Sequence, residues 1–89
     1  MTKDQIIELL EEGWPDDTFL LADGFEEAFA GVVYGKGRPS VTCYDRDACL
    51  SVLMDRDGMS LSEAEEFFSF NVDDAFVGEA TPMFLVRYE

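Results

Sequence analysis

The sequence contains no histidine, and it has only six lysines and arginines against twenty aspartates and glutamates. Without histidine there is no imidazole to activate a serine or cysteine nucleophile or to bind zinc. Contact with nucleic-acid phosphates depends on lysine and arginine, so the shortage of cations argues against direct nucleic-acid binding. We therefore expect a protein that is not an enzyme, that needs no cofactor or metal, and that does not bind nucleic acid directly.

Long apolar runs and cysteine-rich motifs are also missing. The apolar stretch from Phe19 to Ala22 is far shorter than the roughly 20 residues that cross a bilayer. The chain starts with a polar segment unlike a signal peptide, and an anionic membrane would repel its negative charge. Cys43 and Cys49 do not form a C-x-x-C motif, and two cysteines without a secretory signal favour reduced core thiols. We expect a cytoplasmic protein without a membrane partner.

The 89 residues, 47% of them hydrophobic, suffice for one domain over 1–89 with its own core. Caps, glycines and apolar spacing predict three helices, over about 3–12, from Asp45 to Gly58, and from Ser60 onward. Short apolar runs predict three strands, over about 28–34, 40–44 and 83–88. The order α-β-β-α-α-β indicates an α+β fold in which a small, mainly antiparallel three-stranded sheet packs against the helices.

Apolar positions predict which side chains fill the core. Phe19–Ala22 is expected to tuck into it. The second helix has a stripe of Cys49, Leu50, Leu53 and Met54, and the third has Ala64, Phe67, Phe68 and Val72. Phe70 falls off the third helix's stripe and points to a second packing surface or a partner contact. The end of that helix stays open between Asn71 and Gly78.

Three local motifs resemble functional sites but favour structural interpretations. Asp55-Arg56-Asp57-Gly58 is similar to the middle of a calcium loop, yet the first and twelfth ligand positions fall on Leu53 and Ala64. The two members of each adjacent carboxylate pair point in different directions, so they do not form an acid–base pair across a cleft. Gly35-Lys36-Gly37-Arg38 lacks the spacing of a phosphate-binding loop and predicts a hairpin turn.

Charge is unevenly distributed along the chain. Residues 1–31 hold nine acids and one base, residues 32–56 hold three acids and four bases, and residues 57–89 hold eight acids and one base. Two strongly anionic flanks therefore enclose a nearly neutral middle third. Such charge destabilises a compact state through self-repulsion. One explanation for the excess negative charge is solubility, which added aspartate and glutamate increase. The other is a basic partner, because a groove that binds DNA also accepts a protein with dense negative charge.

Several segments between about residues 20 and 84 together resemble small acidic proteins of tailed bacteriophages and prophages. The matching segments are Asp23-Gly24-Phe25-Glu26-Glu27-Ala28, Tyr44-Asp45, Leu53-Met54-Asp55-Arg56-Asp57-Gly58-Met59-Ser60, Glu63-Ala64-Glu65-Glu66, Phe70-Asn71-Val72, Val77-Gly78-Glu79 and Thr81-Pro82. Asp73-Asp74 departs from the pattern, where a small or apolar residue followed by glycine is expected. The resemblance implies expression in an infected bacterial cell, where small acidic proteins commonly inhibit host machinery.

We therefore predict a non-enzymatic protein that binds and inhibits a basic host complex, such as a CRISPR effector or a restriction enzyme, with DNA mimicry as one route. The predicted contacts are the acids of both flanks: Asp16, Asp17, Asp23, Glu26, Glu27, Glu63, Glu65, Glu66, Asp73 and Asp74. The alternative is an accessory module that binds through its near-neutral face, with Tyr34, Arg38, Tyr44 or Phe70 as contacts. Whether the chain forms a homodimer stays open.

Overall fold

The computed structural model describes residues 1–73 and 77–88, apart from the side chain of Asp73. It confirms the α+β class and the order α-β-β-α-α-β. The helices are α1 (Lys3–Gly13), α2 (Arg46–Asp57) and α3 (Leu61–Phe68), and the strands are β1 (Phe29–Gly35), β2 (Arg38–Asp45) and β3 (Met83–Leu85). A 3₁₀ turn over Glu26–Ala28 leads into β1, and a π-helical segment over Ser69–Asp73 continues α3.

The three helices begin where their capping residues predict. Thr2 and Gln5 form a capping box on α1, and Ser60 and Glu63 form a second one on α3. The side chain of Asp45 accepts a hydrogen bond from the Ala48 N–H and caps α2. Gly58 ends α2 in the left-handed conformation, with φ at 67°, which glycine adopts without steric strain.

Strands β1 and β2 form an antiparallel hairpin, in which Val32 pairs with Thr42 and Val33 with Val41. Gly35 and Arg38 also pair, so the turn contains only Lys36 and Gly37, and both strands approach the turn more closely than the apolar runs predict. Gly37 has a φ of 79°, a conformation that glycine adopts without steric strain. The predicted hairpin is thus confirmed with a shorter connection.

The sheet is mixed rather than wholly antiparallel. Its strand order is β1-β2-β3, and β3 pairs with β2 in parallel, from Cys43 beside Met83 to Asp45 beside Leu85. A parallel neighbour needs a long crossover connection, which α2 and α3 provide here. Residues Val41 to Tyr44 of the central strand are all buried, so both faces of β2 are covered.

The main core is a cluster between β2, α2 and α3, and its buried members are Phe25, Ala28, Tyr44, Cys49, Leu50, Val52, Leu53, Ala64 and Phe68. Two predicted members are wrong, because Met54 and Phe67 are 37% and 38% exposed. Val52 is buried instead, since the 3₁₀ turn over Glu26–Ala28 packs against α2. Both cysteines are free and buried.

The connection between α1 and β1 is held to the sheet by two side chains of β2. The Thr42 hydroxyl donates to the Leu20 carbonyl at 2.7 Å, and the Ala22 N–H donates to the Tyr44 hydroxyl at 2.9 Å. Ala22 packs against the main core, whereas Leu20 is 37% exposed. The predicted insertion of this segment therefore holds only in part. No helix in the described ranges combines the length and the apolar character needed to cross a membrane.

Candidate partner-binding surface

One side of α1 carries only carboxylates among its charged groups, and we call it the acidic arc: Asp4, Glu8, Glu11 and Glu12. At the helical 100° per residue, these positions span about 100° and lie opposite the buried Ile6 and Leu10. All four are exposed, and within the described residues no lysine or arginine nitrogen lies within 4.0 Å of their carboxylates. Like charges at this spacing destabilise a helix.

The predicted contacts Asp16 and Asp17 lie in the exposed turn after α1. The Asp17 N–H donates to the carbonyl of Trp14 at 3.2 Å, which folds the turn back toward the helix. Asp17 thereby lines the same cleft as Glu11 of the acidic arc. We call this cleft the Trp14 cleft; its lining is Ile7, Leu10, Glu11, Trp14, Pro15, Asp17, Thr18, Phe19 and Leu21.

Asp23 is already paired within the chain. Its carboxylate lies 3.0 Å from the Lys3 ammonium, and both side chains are largely exposed. This hydrogen bond is the main cause of a raised Lys3 pKa, so the lysine stays charged near neutral pH. A basic partner would have to compete with Lys3 for Asp23, which makes Asp23 a weaker contact than the unpaired acids.

Glu26 and Glu27 share a second cleft with Asp55 at the end of α2. Arg56 also lines this cleft and donates to the Gly24 carbonyl at 2.8 Å. Arg56 also donates hydrogen bonds to the Asp57 carboxylate. These bonds raise the pKa of Arg56 and lower the pKa of Asp57. The cleft is therefore acidic on one side and holds a fixed cation on the other.

On α3, two of the three predicted contacts already have partners. Glu63 accepts from the Ser60 N–H at 3.0 Å, and hydrogen bonds from Ser60 lower the pKa of its carboxyl group. Glu65 lies 3.9 Å from Arg46. Glu66 is exposed and lines a shallow depression together with Glu63, Phe67 and Phe70. Glu66 is thus the α3 acid most available to a partner.

Two further predicted contacts cannot be placed. Asp74 lies outside the described residues, and Asp73 is described only in its backbone.

The contacts predicted for the near-neutral face differ in their exposure to solvent. Tyr34 and Phe70 are each 71% exposed, as a contact residue requires, whereas Tyr44 is 1% exposed. Tyr44 is therefore wrong as a surface contact, because its ring fills the main core and its hydroxyl holds Ala22.

The acidic arc was missed by sequence reasoning, although a signal for it was present. Asp4, Glu8 and Glu12 recur every four residues, and Glu11 follows Glu8 by three, within the helix predicted over about 3–12. Adjacent residues such as Glu11 and Glu12 differ in direction by about 100° on a helix, so the row becomes evident only when positions three and four apart are compared.

The two cysteines are buried thiols, and in the described part of the chain the acidic side chains form no cluster of metal ligands. Burial raises the pKa of Cys49 to about 12 and also raises that of Cys43, so both thiols remain protonated at neutral pH. Within residues 1–73 and 77–88, no three cysteine, aspartate or glutamate side chains converge as metal ligands. The arrangement that remains is a set of exposed carboxylates beside the Trp14 cleft and beside the depression lined by Phe67 and Phe70.

Comparison of the chain with protein-family models, with curated proteins and with solved structures gives no match.

Proposed function

We propose that the protein is a non-enzymatic binding protein whose acidic surface occupies a basic site on a bacterial nucleic-acid-processing or defence complex. The acidic arc is the observation that carries the proposal. In the part of the chain that the structure describes, its four carboxylates face solvent with no lysine or arginine nitrogen within 4.0 Å, in a helix that such charge destabilises. A partner with a matching basic surface would offset that cost. The charge has no role in forming the core, because all four carboxylates are exposed.

The overall charge density also supports competition with DNA. Fourteen net negative charges over a longest dimension of 40 Å correspond to about one charge per 3 Å. Duplex DNA carries about one charge per 1.7 Å along its axis, or one per 3.4 Å for each strand. A groove built for DNA would therefore meet a comparable density of negative charge on this chain. The resemblance to phage proteins supplies the bacterial setting.

DNA competition tests the proposal directly. The tagged protein would capture partners from a bacterial lysate at about 50 mM salt, and duplex DNA would then be added. We expect a nucleic-acid-binding complex to elute with DNA and to dissociate as salt rises to about 200 mM. Partners that stay bound through both treatments would contradict the proposal, because their interface would be neither anionic nor shared with DNA.

Charge variants separate function from solubility. Glu8→Gln with Glu12→Gln removes two charges from the acidic arc, and Asp47→Asn with Glu65→Gln removes two from acids that already contact Arg46. Loss of arc charge is expected to weaken capture of the DNA-eluted complex several-fold, mainly by slowing association. Equal effects of the two double variants would show that only total charge matters.

The accessory-module alternative is supported by the exposed rings of Tyr34 and Phe70. Aromatic side chains are enriched in protein interfaces relative to the rest of the surface. In that case Phe70→Ser, which leaves the Trp14 cleft intact, would abolish capture of the partner, and the arc variants would have no effect. The same capture assay therefore discriminates the two functions.

A further inference from the structure

The Trp14 cleft combines an apolar interior with acidic edges. Leu10 is buried and Ile7 and Leu21 are half-buried, whereas Glu11 and Asp17 are exposed. The interior offers contact area for an apolar chain, and the edges offer two carboxylates. An occupant that matches this arrangement has an apolar stem and a cationic end.

Two aromatic rings form walls of the cleft at nearly right angles. The rings of Trp14 and Phe19 have centroids 6.4 Å apart and planes inclined at 81°. Tyr34 packs on Trp14 with a centroid separation of 5.3 Å and holds the indole in place. A cation binds most strongly over the face of tryptophan, within about 6 Å of the ring centroid. The walls therefore favour the same kind of occupant as the edges.

The chain binds two of its own arginines with the same combination of groups. Arg56 lies 5.7 Å from the centroid of the Phe25 ring and 2.9 Å from the Asp57 carboxylate. Arg46 similarly lies 5.9 Å from the ring centroid of Phe68 and 3.9 Å from a glutamate on α3. The Trp14 cleft has the aromatic face and the carboxylates, but no lysine or arginine is among its lining residues.

The size of the cleft sets a limit on what it can hold. Its volume is about 250 Å³, and sites for cofactors and drug-sized molecules typically exceed about 300 Å³. One long side chain is therefore a better fit than a nucleotide or a cofactor.

We propose that the Trp14 cleft binds an arginine side chain of the partner protein, with its stem on Leu10 and its guanidinium between Trp14 and the carboxylates of Glu11 and Asp17. This inference rests on the proposed function and deepens it, because it names the side chain that the acidic surface anchors. Arginine at a well-packed site is a common source of affinity in protein interfaces. Glu11 then serves both the acidic arc and the cleft.

Trp14 is the single tryptophan of the chain, so its fluorescence reports this site alone. The probe would be N-acetyl-arginine N-methylamide, and the control would be the citrulline analogue, which has a similar shape without the charge. At about 0.15 M salt, where screening weakens distant attraction, we expect saturable quenching by the arginine probe. Equal responses to the two probes would overturn the proposal.

Adjacent residues offer a matched pair of variants. Glu11→Gln removes a carboxylate that lines the cleft, and Glu12→Gln removes the same charge from a position that does not line it. We expect Glu11→Gln to weaken the arginine probe about three- to fivefold, as loss of an exposed ion pair implies. Glu12→Gln should leave the affinity within about twofold. Equal losses would overturn the proposal by showing general attraction to a negative protein.

A second cleft variant and the capture assay keep the two proposals separate. Asp17→Asn should weaken the probe as Glu11→Gln does, and circular dichroism would confirm that both variants fold. A probe that does not bind overturns the cleft proposal and leaves DNA-sensitive capture standing. Conversely, if captured partners do not elute with DNA, the proposed function is overturned. The affinity of the cleft for the arginine probe is measured separately and does not depend on that result.

Discussion

The α1 layer, comprising α1 and the segment Trp14–Leu21, differs from the main core in both burial and charge. Helix α1 buries two side chains, Ile6 and Leu10, outside the main core, whereas α2 buries four within it. The arginines of α2 lie beside carboxylates, but the acidic arc of α1 has no cation in contact within the described residues. The unpaired carboxylates of the acidic arc thus lie on a helix that buries no side chain in the main core.

The largest expected effect comes from replacing one buried side chain in the main core and one in the α1 layer. Leu53 and Ile6 are both fully buried. Leu53→Ala is expected to lower the free energy of unfolding by about 3 kcal/mol, because it opens a cavity in the main core. Ile6→Ala should cost less globally and instead accelerate amide hydrogen exchange in α1 with little change in β2. Equal global losses with uniform exchange would show that the layers unfold together.

The attachment between the layers can be tested by removing one hydroxyl. Tyr44→Phe deletes the acceptor of the Ala22 N–H while keeping the ring in the main core. We expect a loss of about 1 kcal/mol in denaturant unfolding, since a partly buried donor loses its partner. Exchange should increase most at Ala22 and its neighbours. Tyr34→Phe, at an exposed tyrosine, is the control and should have no measurable effect.

Because the acidic arc lacks a contacting cation in the described residues and Glu65 has one, removing a charge from each should change protein stability in opposite directions. Glu8→Gln relieves repulsion within the acidic arc and should stabilise the protein by about 0.3 kcal/mol at low salt. Glu65→Gln removes the same charge from a residue beside Arg46 and should be neutral or slightly destabilising. Thermal unfolding of both variants would measure this difference, and it should shrink as salt is added. The same direction of change in both variants would contradict the comparison.

The smallest expected effect concerns pH at the start of α3. The Glu63 pKa lies below its ordinary value of 4.5 because of hydrogen bonds from Ser60. The charged form therefore stabilises the fold above that value, and this contribution disappears as pH falls through the lowered folded pKa. Relative to Glu66→Gln, which removes a charge without touching the cap, Glu63→Gln should lower the melting temperature at pH 7. The difference should shrink as pH falls below 4.5, and a constant difference would contradict this account.

Local elements could be predicted well from sequence, whereas the candidate site could be predicted only in outline. Thr2, Asp45 and Ser60 mark helix starts because each side chain bonds a backbone group three residues away. Exposure of the acidic flanks follows from their charge. Which acids remain without a cation does not follow, because Lys3 reaches Asp23 and Arg46 reaches Glu65 only after the chain has folded.

The sequence by itself determined the caps, the hairpin, the element order and the excess of negative charge, because these depend on neighbouring residues or on composition. Only the tertiary structure decided that β3 lies parallel to β2 and that Tyr44 is buried rather than available to a partner. It also decided that Asp17 joins Glu11 beside Trp14. These features depend on contacts between distant segments, whose packing is set by the whole core.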